Sequence, residues 1–140
     1  MGRSYWFDCS KCGYRAKVSG GADRGLHFFV QTVACADCRQ LHDVVIRMRV
    51  PEESVAKDLL STWRRSGSTA ERNDFDAPAT FESVVNRLLY RGVRRFRWFN
   101  FKLQCPVSRL HRVKSWQTPD KCPRCGTFLE QHPLPYRIWE

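Results

Sequence analysis

What this chain has least of is negative charge. Asp and Glu number 14 against 24 Lys and Arg, a formal charge of +10 over 140 residues. The imbalance says nothing about fold, but it sets the expectation of an anionic partner: nucleic acid, a membrane surface or an acidic protein. Long apolar runs are also missing. No window approaches the roughly 20 apolar residues of a helix that crosses a bilayer. The residues before Cys9 lack the continuous apolar core of a signal peptide. Gly2 follows Met1, but Trp6 stands where the myristoylation pattern wants Ser or Thr. These absences lead to the expectation of a soluble cytoplasmic protein with reduced thiols.

Recognisable catalytic motifs are lacking too. Gly20, Gly21 and Gly25 fit neither the P-loop nor the dinucleotide fingerprint, and no Lys-Ser/Thr follows them. A hairpin loop is the plainer reading, with Asp23 and Arg24 near its tip as contact residues. A hydrolytic metal site needs an open coordination position and a nearby base. Only the C-terminal cysteines leave room for one, with Glu130 or Asp120 as base, and no enzyme motif accompanies them. The expectation is a non-enzymatic protein.

Cysteine is what the chain has. Six of its seven Cys fall in Cys-x-x-Cys pairs, a spacing typical of metal sites rather than disulfide scaffolds. Cys9/Cys12 and Cys35/Cys38 stand 22 residues apart across an expected hairpin. Each pair can form a tight turn that aims two thiolates at one point, and Gly13 after Cys12 suits the positive φ of such a turn. Cys9, Cys12, Cys35 and Cys38 are thus expected to share one tetrahedral four-sulfur site, with Zn2+ as the default ion. This first third of the chain resembles a zinc ribbon. The resemblance implies fold and metal; ribbons serve many unrelated tasks, so it implies no function.

The C-terminal part resembles a second, degenerate ribbon. Cys122-Pro-Arg-Cys125-Gly126 repeats the knuckle, and Cys105-Pro-Val-Ser108 has lost its second Cys. Cys105, Cys122 and Cys125 leave a fourth ligand open between His111 and His132. His111 is preferred because it lies on the arm that lost its Cys. The lesser alternative is that the chain has lost this metal and kept the fold by packing Trp116, Phe128 and Leu129. His27 and His42 read as structural or surface histidines.

Periodicity supplies the rest. Tyr14, Ala16 and Val18 alternate with Arg15 and Lys17, residues 26–34 read as a return strand, and 43–50 as a third. Val55, Leu59, Leu60 and Trp63 recur at helical spacing after Pro51. Phe81, Val84, Val85, Leu88 and Leu89 do so again, closed by Gly92. Residues 66–79 read as a mobile linker. Residues 93–104 read as a strand with Phe99, Phe101 and Leu103 on one face. The expected fold is α+β: one or two small zinc-ribbon sheets flanking two short helices. The expected organisation is a ribbon over 1–50, a helical middle over 51–92, and a basic strand with the degenerate ribbon over 93–140.

Between residues 87 and 114 there is no acidic residue. Arg87, Arg91, Arg94, Arg95, Arg97, Lys102, Arg109, Arg112 and Lys114 lie there among Tyr90, Phe96, Trp98, Phe99 and Phe101. Cations that track phosphates beside aromatic faces that stack on bases are a nucleic-acid footprint, for RNA or DNA alike. These cations and Trp98 are the candidate contacts. A half-buried strand with a solvated Arg face gives the same pattern. The alternative function is a protein–protein adaptor whose aromatics anchor an interface. A rubredoxin-like iron electron carrier fits the knuckles but not the charge.

Overall fold

The computed structural model describes residues 1–51, 74–75 and 96–139. Among them there is no helix. Nine strands form two sheets. The α+β expectation is therefore corrected to a β architecture: the described sequence alternates with period two and is cut into short pieces by knuckles and glycine turns. Both expected helices and the expected 66–79 linker lie outside the described residues, apart from Asp74–Phe75.

The smaller sheet has three strands in the order β2-β1-β9, from β1 (Gly2–Asp8), β2 (Arg15–Val18) and β9 (Glu130–Trp139). All its pairings are antiparallel, with Trp6 opposite Lys17 and Arg3 opposite Ile138. The β1–β9 register shifts twice, around Tyr5. β9 carries Pro133 and Pro135, which cannot donate to a ladder; an edge position and an irregular register accommodate them.

The larger sheet has six strands. Its main path runs β3-β4-β5-β7-β6, from β3 (Ala22–Arg24), β4 (Phe28–Cys35), β5 (Gln40–Pro51), β6 (Asp74–Phe75) and β7 (Phe96–Phe101). The sixth, β8 (Val113–Ser115), pairs with the C-terminal end of β4, so that Cys35 faces Val113. The β4–β5 hairpin holds its register from Phe28–Met48 to Cys35–Gln40 with one shift. Strands from the first fifty residues and from the last forty-odd thus meet in both sheets.

The sheets are joined by buried aromatics. Phe7 of β1 meets Trp116 edge-on at 5.3 Å, and Phe28 of β4 stacks on Trp139 of β9 at 4.7 Å. Trp116 donates its indole N–H to the Lys121 carbonyl, which satisfies the one polar atom its burial would orphan. The Trp139 indole leaves no room for a side chain at Gly2. Phe7, Tyr14, Ala16, Val18, Leu41, Trp116 and Leu129 form one core with Cys9 and Cys122. Phe128, named with Trp116 and Leu129 from sequence, is exposed, as is Leu103, which falls beyond the end of β7.

The glycine loop is not a solvent tip. Gly20 has φ +87° and its Cα lies against Phe7, where an added Cβ would stand 2.8 Å from Cζ. The Thr32 hydroxyl accepts from the Gly20 and Gly21 amides and donates to Asp43 Oδ1 at 2.7 Å. Ser19 adds its amide and hydroxyl to the same carboxylate. Burial pushes the Asp43 carboxyl up to about 6, against the Thr32 and Ser19 hydrogen bonds that pull it down.

Candidate metal centres

All seven cysteines are free thiols. With one histidine they fall into two groups of four, each with its ligand atoms within 4.8 Å of one another. One group is Cys9, Cys12, Cys122 and Cys125; the other is Cys35, Cys38, Cys105 and His111. Each is able to hold a metal ion.

The first group lies at one end of the smaller sheet, where Asp8 pairs with Glu130. Cys9 follows β1 and Cys122–Cys125 precedes β9, so β1–β9 pairing sets the two knuckles side by side. The knuckles are built alike. The Cys9 amide donates to the Tyr14 carbonyl and the Gly13 amide to the Cys9 carbonyl; the Cys122 amide donates to Thr127 and the Gly126 amide to Cys122. Gly13 and Gly126 take φ +67° and +76°, the left-handed turn that glycine enters without a Cβ penalty. Cys9 Sγ lies 3.4 Å from Cys125 Sγ, and Cys12 Sγ 3.7 Å from Cys122 Sγ.

The second group sits at the end of the β4–β5 hairpin. Cys35 closes β4, and Cys38 follows in a turn where the Cys38 amide donates to Cys35 Sγ at 3.3 Å. Arg39 takes the place of the trailing glycine at φ +52°. The 105–111 loop comes down from β7 and is pinned beside the turn by two contacts: Ala36 donates to the Arg112 carbonyl and Arg112 to Asp37. Cys38 Sγ lies 3.6 Å from Cys105 Sγ and 3.2 Å from His111 Nδ1.

These separations suit a shared ion. Tetrahedral thiolate bonds of about 2.3 Å put sulfurs roughly 3.8 Å apart. Thiol electrostatics point the same way. Hydrogen bonds from the Thr127 backbone and side chain lower Cys125 to about 6, while Cys12 is pushed up to about 12. The Tyr14 amide favours the Cys12 thiolate, but desolvation and the three neighbouring thiols outweigh it. The second group repeats the split. Cys105 is lowered to about 7 by the Ser108 and Val107 amides and His111, against desolvation, and desolvation with the Cys105 and Cys35 thiols pushes Cys38 up to about 12. Thiols held this close resist ionising together; a cation would relieve that repulsion.

The chain matches no family model, no curated protein and no solved structure.

The eight expected ligands are all present, but regrouped. Cys9 and Cys12 do not meet Cys35 and Cys38, because β1–β9 pairing hands the first knuckle to the last and β4–β8 pairing hands the 105–111 loop to the second. Cys105 and His111 likewise stand apart from Cys122 and Cys125. His132 is in neither group; its Nε2 lies 2.6 Å from Asp8 Oδ2. The Arg15 guanidinium, then His132, hold the Asp8 carboxyl below the usual carboxylate range. His42 is partly buried on β5, and burial lowers its pKa.

Of the candidate nucleic-acid contacts, Arg87, Arg91, Arg94 and Arg95 lie outside the described residues. Arg97, Trp98, Lys102, Arg109, Arg112 and Lys114 are all exposed. They do not form one stripe: Arg97 and Trp98 are on β7, and Lys114 is on β8, with β4 and β5 between. The sequence reading missed Phe29 and Arg47. The Arg47 guanidinium lies over both Phe29 and Trp98, at 5.6 and 4.9 Å from the ring centres. Alternation of Arg47, Met48 and Arg49 was the available signal.

Proposed function

We propose that this chain is a zinc-stapled, non-enzymatic β module that contacts nucleic acid through its basic aromatic surface, alone or within a nucleic-acid-processing complex. Two zinc ions would be held, one by Cys9, Cys12, Cys122 and Cys125, the other by Cys35, Cys38, Cys105 and His111. Soft thiolates with one imidazole suit Zn2+. Four protein ligands per ion leave no open position, so the metal's part is structural: it would fasten segments that lie far apart in sequence and that strand pairing sets side by side.

The observation that carries the nucleic-acid reading is the segment 96–114. It has five exposed cations, Arg97, Lys102, Arg109, Arg112 and Lys114, and no acidic residue. Such one-signed density is what phosphate neutralisation requires. The test is a titration of the metal-loaded protein with labelled single-stranded RNA, single-stranded DNA and duplex DNA at two salt concentrations. A variant with Arg109, Arg112 and Lys114 changed to Ala runs beside the wild type. Binding that falls steeply with salt and weakens in the variant supports the reading. Binding indifferent to both contradicts it.

A second reading, the protein adaptor, is favoured by one surface. Leu134, Tyr136 and Ile138 alternate along β9 and are each more than half exposed. Trp6 meets Tyr136 edge-on at 5.4 Å, and Lys17 Nζ lies 4.5 Å from both rings. An apolar face with aromatic anchors is typical of a docking surface. Salt-insensitive, weak nucleic-acid binding together with a specific protein partner would move the account there.

A further inference from the structure

We infer that the groove between the β3–β4 turn and β7 is a stacking site for an unpaired nucleobase, so that the nucleic acid taken is single-stranded. This rests on the nucleic-acid reading above and extends it from Trp98 to Arg24, Phe29 and Arg47, which that reading does not use. The groove is shallow, about 360 Å³, and is lined by Met1, Arg24, Gly25, Leu26, Phe29 and Trp98.

Three observations converge on it. First, Trp98 is held in place yet open. Phe29 meets it edge-on at 5.4 Å and Arg47 lies against it, but the indole remains 40 % exposed, and Leu26 beside it 58 %. Exposing that much apolar surface in one patch is unfavourable in water unless something covers it. A ring already fixed by its neighbours loses little freedom when a ligand stacks on it. Second, the charge nearest the indole is positive. Among the described residues no carboxylate pairs with the side chains of Arg24 or Arg47. The adjacent Asp23 carboxylate is taken up by the Arg3 and Arg24 amides. Arg49 on β5 stands opposite Trp98 in register, its guanidinium 4.0 Å from the Phe96 ring centre. Third, the strands set spacing and order. β4, β5 and β7 place Phe29, Arg47 and Trp98 on one surface, aromatic, cation, aromatic.

The ligand must bring negative charge and a flat π-face together. A nucleotide does so within one unit, phosphate beside base. Acidic peptide side chains bring the charge without the ring. In a duplex the base faces are consumed by stacking, so only an unpaired base can enter.

The experiment is an anisotropy titration of the full metal-loaded chain with a short labelled oligouridylate. A strand of equal length with abasic units, a duplex and polyglutamate serve as further probes. Wild type is compared with Trp98→Ala, Trp98→Phe and Arg24→Ala. The expected result is single strand bound in preference to duplex. Trp98→Ala should weaken it about five-fold to about a hundred-fold, and Trp98→Phe should restore most of the loss. On wild type alone, a readout that needs no variant to fold, the abasic strand should bind about five-fold to about a hundred-fold more weakly than oligouridylate. Arg24→Ala should weaken binding and flatten its salt dependence. Salt-sensitive binding that ignores both Trp98→Ala and the missing bases overturns the stacking site and leaves the basic surface standing. No salt-sensitive binding to any nucleic acid overturns both. Polyglutamate bound by wild type, lost in Trp98→Ala and not displaced by oligonucleotide, makes the groove a site for acidic polypeptide and overturns the inference.

Discussion

The two ligand groups solve one problem with different materials. The first pairs two near-identical knuckles, each closed by a glycine at positive φ, on a sheet whose β1–β9 ladder shifts twice. The second pairs one knuckle, closed by Arg39, with an irregular loop, at the end of a hairpin whose ladder carries a single shift. Where the backbone ladder is nearly continuous, a metal would finish a structure already held. Where it is broken twice, a metal would have more of the structure to make. Cys9 and Cys122 also belong to the core around Phe7 and Trp116, so an ion held there would act on the packing directly.

The largest predicted effect separates the two groups. Cys122→Ser and Cys105→Ser should each lower the metal content from two ions to one per chain. A structural zinc is worth on the order of 10 kcal/mol, comparable to the whole margin of a small domain. Cys122→Ser should therefore expose the amides of β1, β2 and β9 to rapid hydrogen exchange. Cys105→Ser should open the 105–111 loop and leave the β4–β5 hairpin protected. Equal exchange in both variants would break the comparison.

A smaller effect tests the joint between the regions. Asp43, on the strand leading away from the second group, holds Ser19, which follows the strand of the first. Its native carboxyl keeps its proton to about 6 against an ordinary 3.8. Folding therefore takes up a proton between those values, and this group's contribution falls as pH rises through the window. About two pKa units correspond to about 3 kcal/mol. Denaturant midpoints for wild type should decline from about pH 4 to about pH 6 relative to Asp43→Asn. Loss of metal from protonated thiols is common to both proteins and cancels in the difference. Parallel curves would show that the carboxyl is not held as described.

Gly20→Ala presses on the same joint from the other side. A Cβ at Gly20 meets Phe7, and φ +87° strains any L side chain. The expected cost is about 2–3 kcal/mol, read as a lower melting temperature with metal content unchanged. The smallest predicted effect compares the knuckles themselves. Gly13→Ala should cost about 1 kcal/mol, and Arg39→Gly should gain up to about 1 kcal/mol. Opposite signs in denaturant titrations sharpen the comparison; equal signs break it.

Much of this was legible in the sequence, and the remainder was hidden for definite reasons. The knuckles, their trailing glycines, and the alternating strands around Ala16 and along 43–50 stand out because spacing and periodicity are local. Which knuckles share an ion is not local. That choice depends on β9, and Pro133 and Pro135 disguise β9 as a loop. With β9 unseen, the nearest pairs in sequence looked like partners. The expected grouping of Cys9 and Cys12 with Cys35 and Cys38 failed there. Asp43 and Thr32 were hidden otherwise: a polar pair inside two strands reads as a solvent face until the partner strand is known. Trp98 carried a signal, but Phe29 and Arg47 join it only through β4–β5–β7 pairing.

The central claim is the crossed grouping of ligands. It is tested most directly by replacing the metal with an NMR-active cadmium isotope and correlating each cadmium resonance with cysteine β protons. The account predicts two resonances. One correlates with Cys9, Cys12, Cys122 and Cys125, the other with Cys35, Cys38 and Cys105 and with the ring of His111. A resonance correlating with Cys9, Cys12, Cys35 and Cys38 together would contradict it.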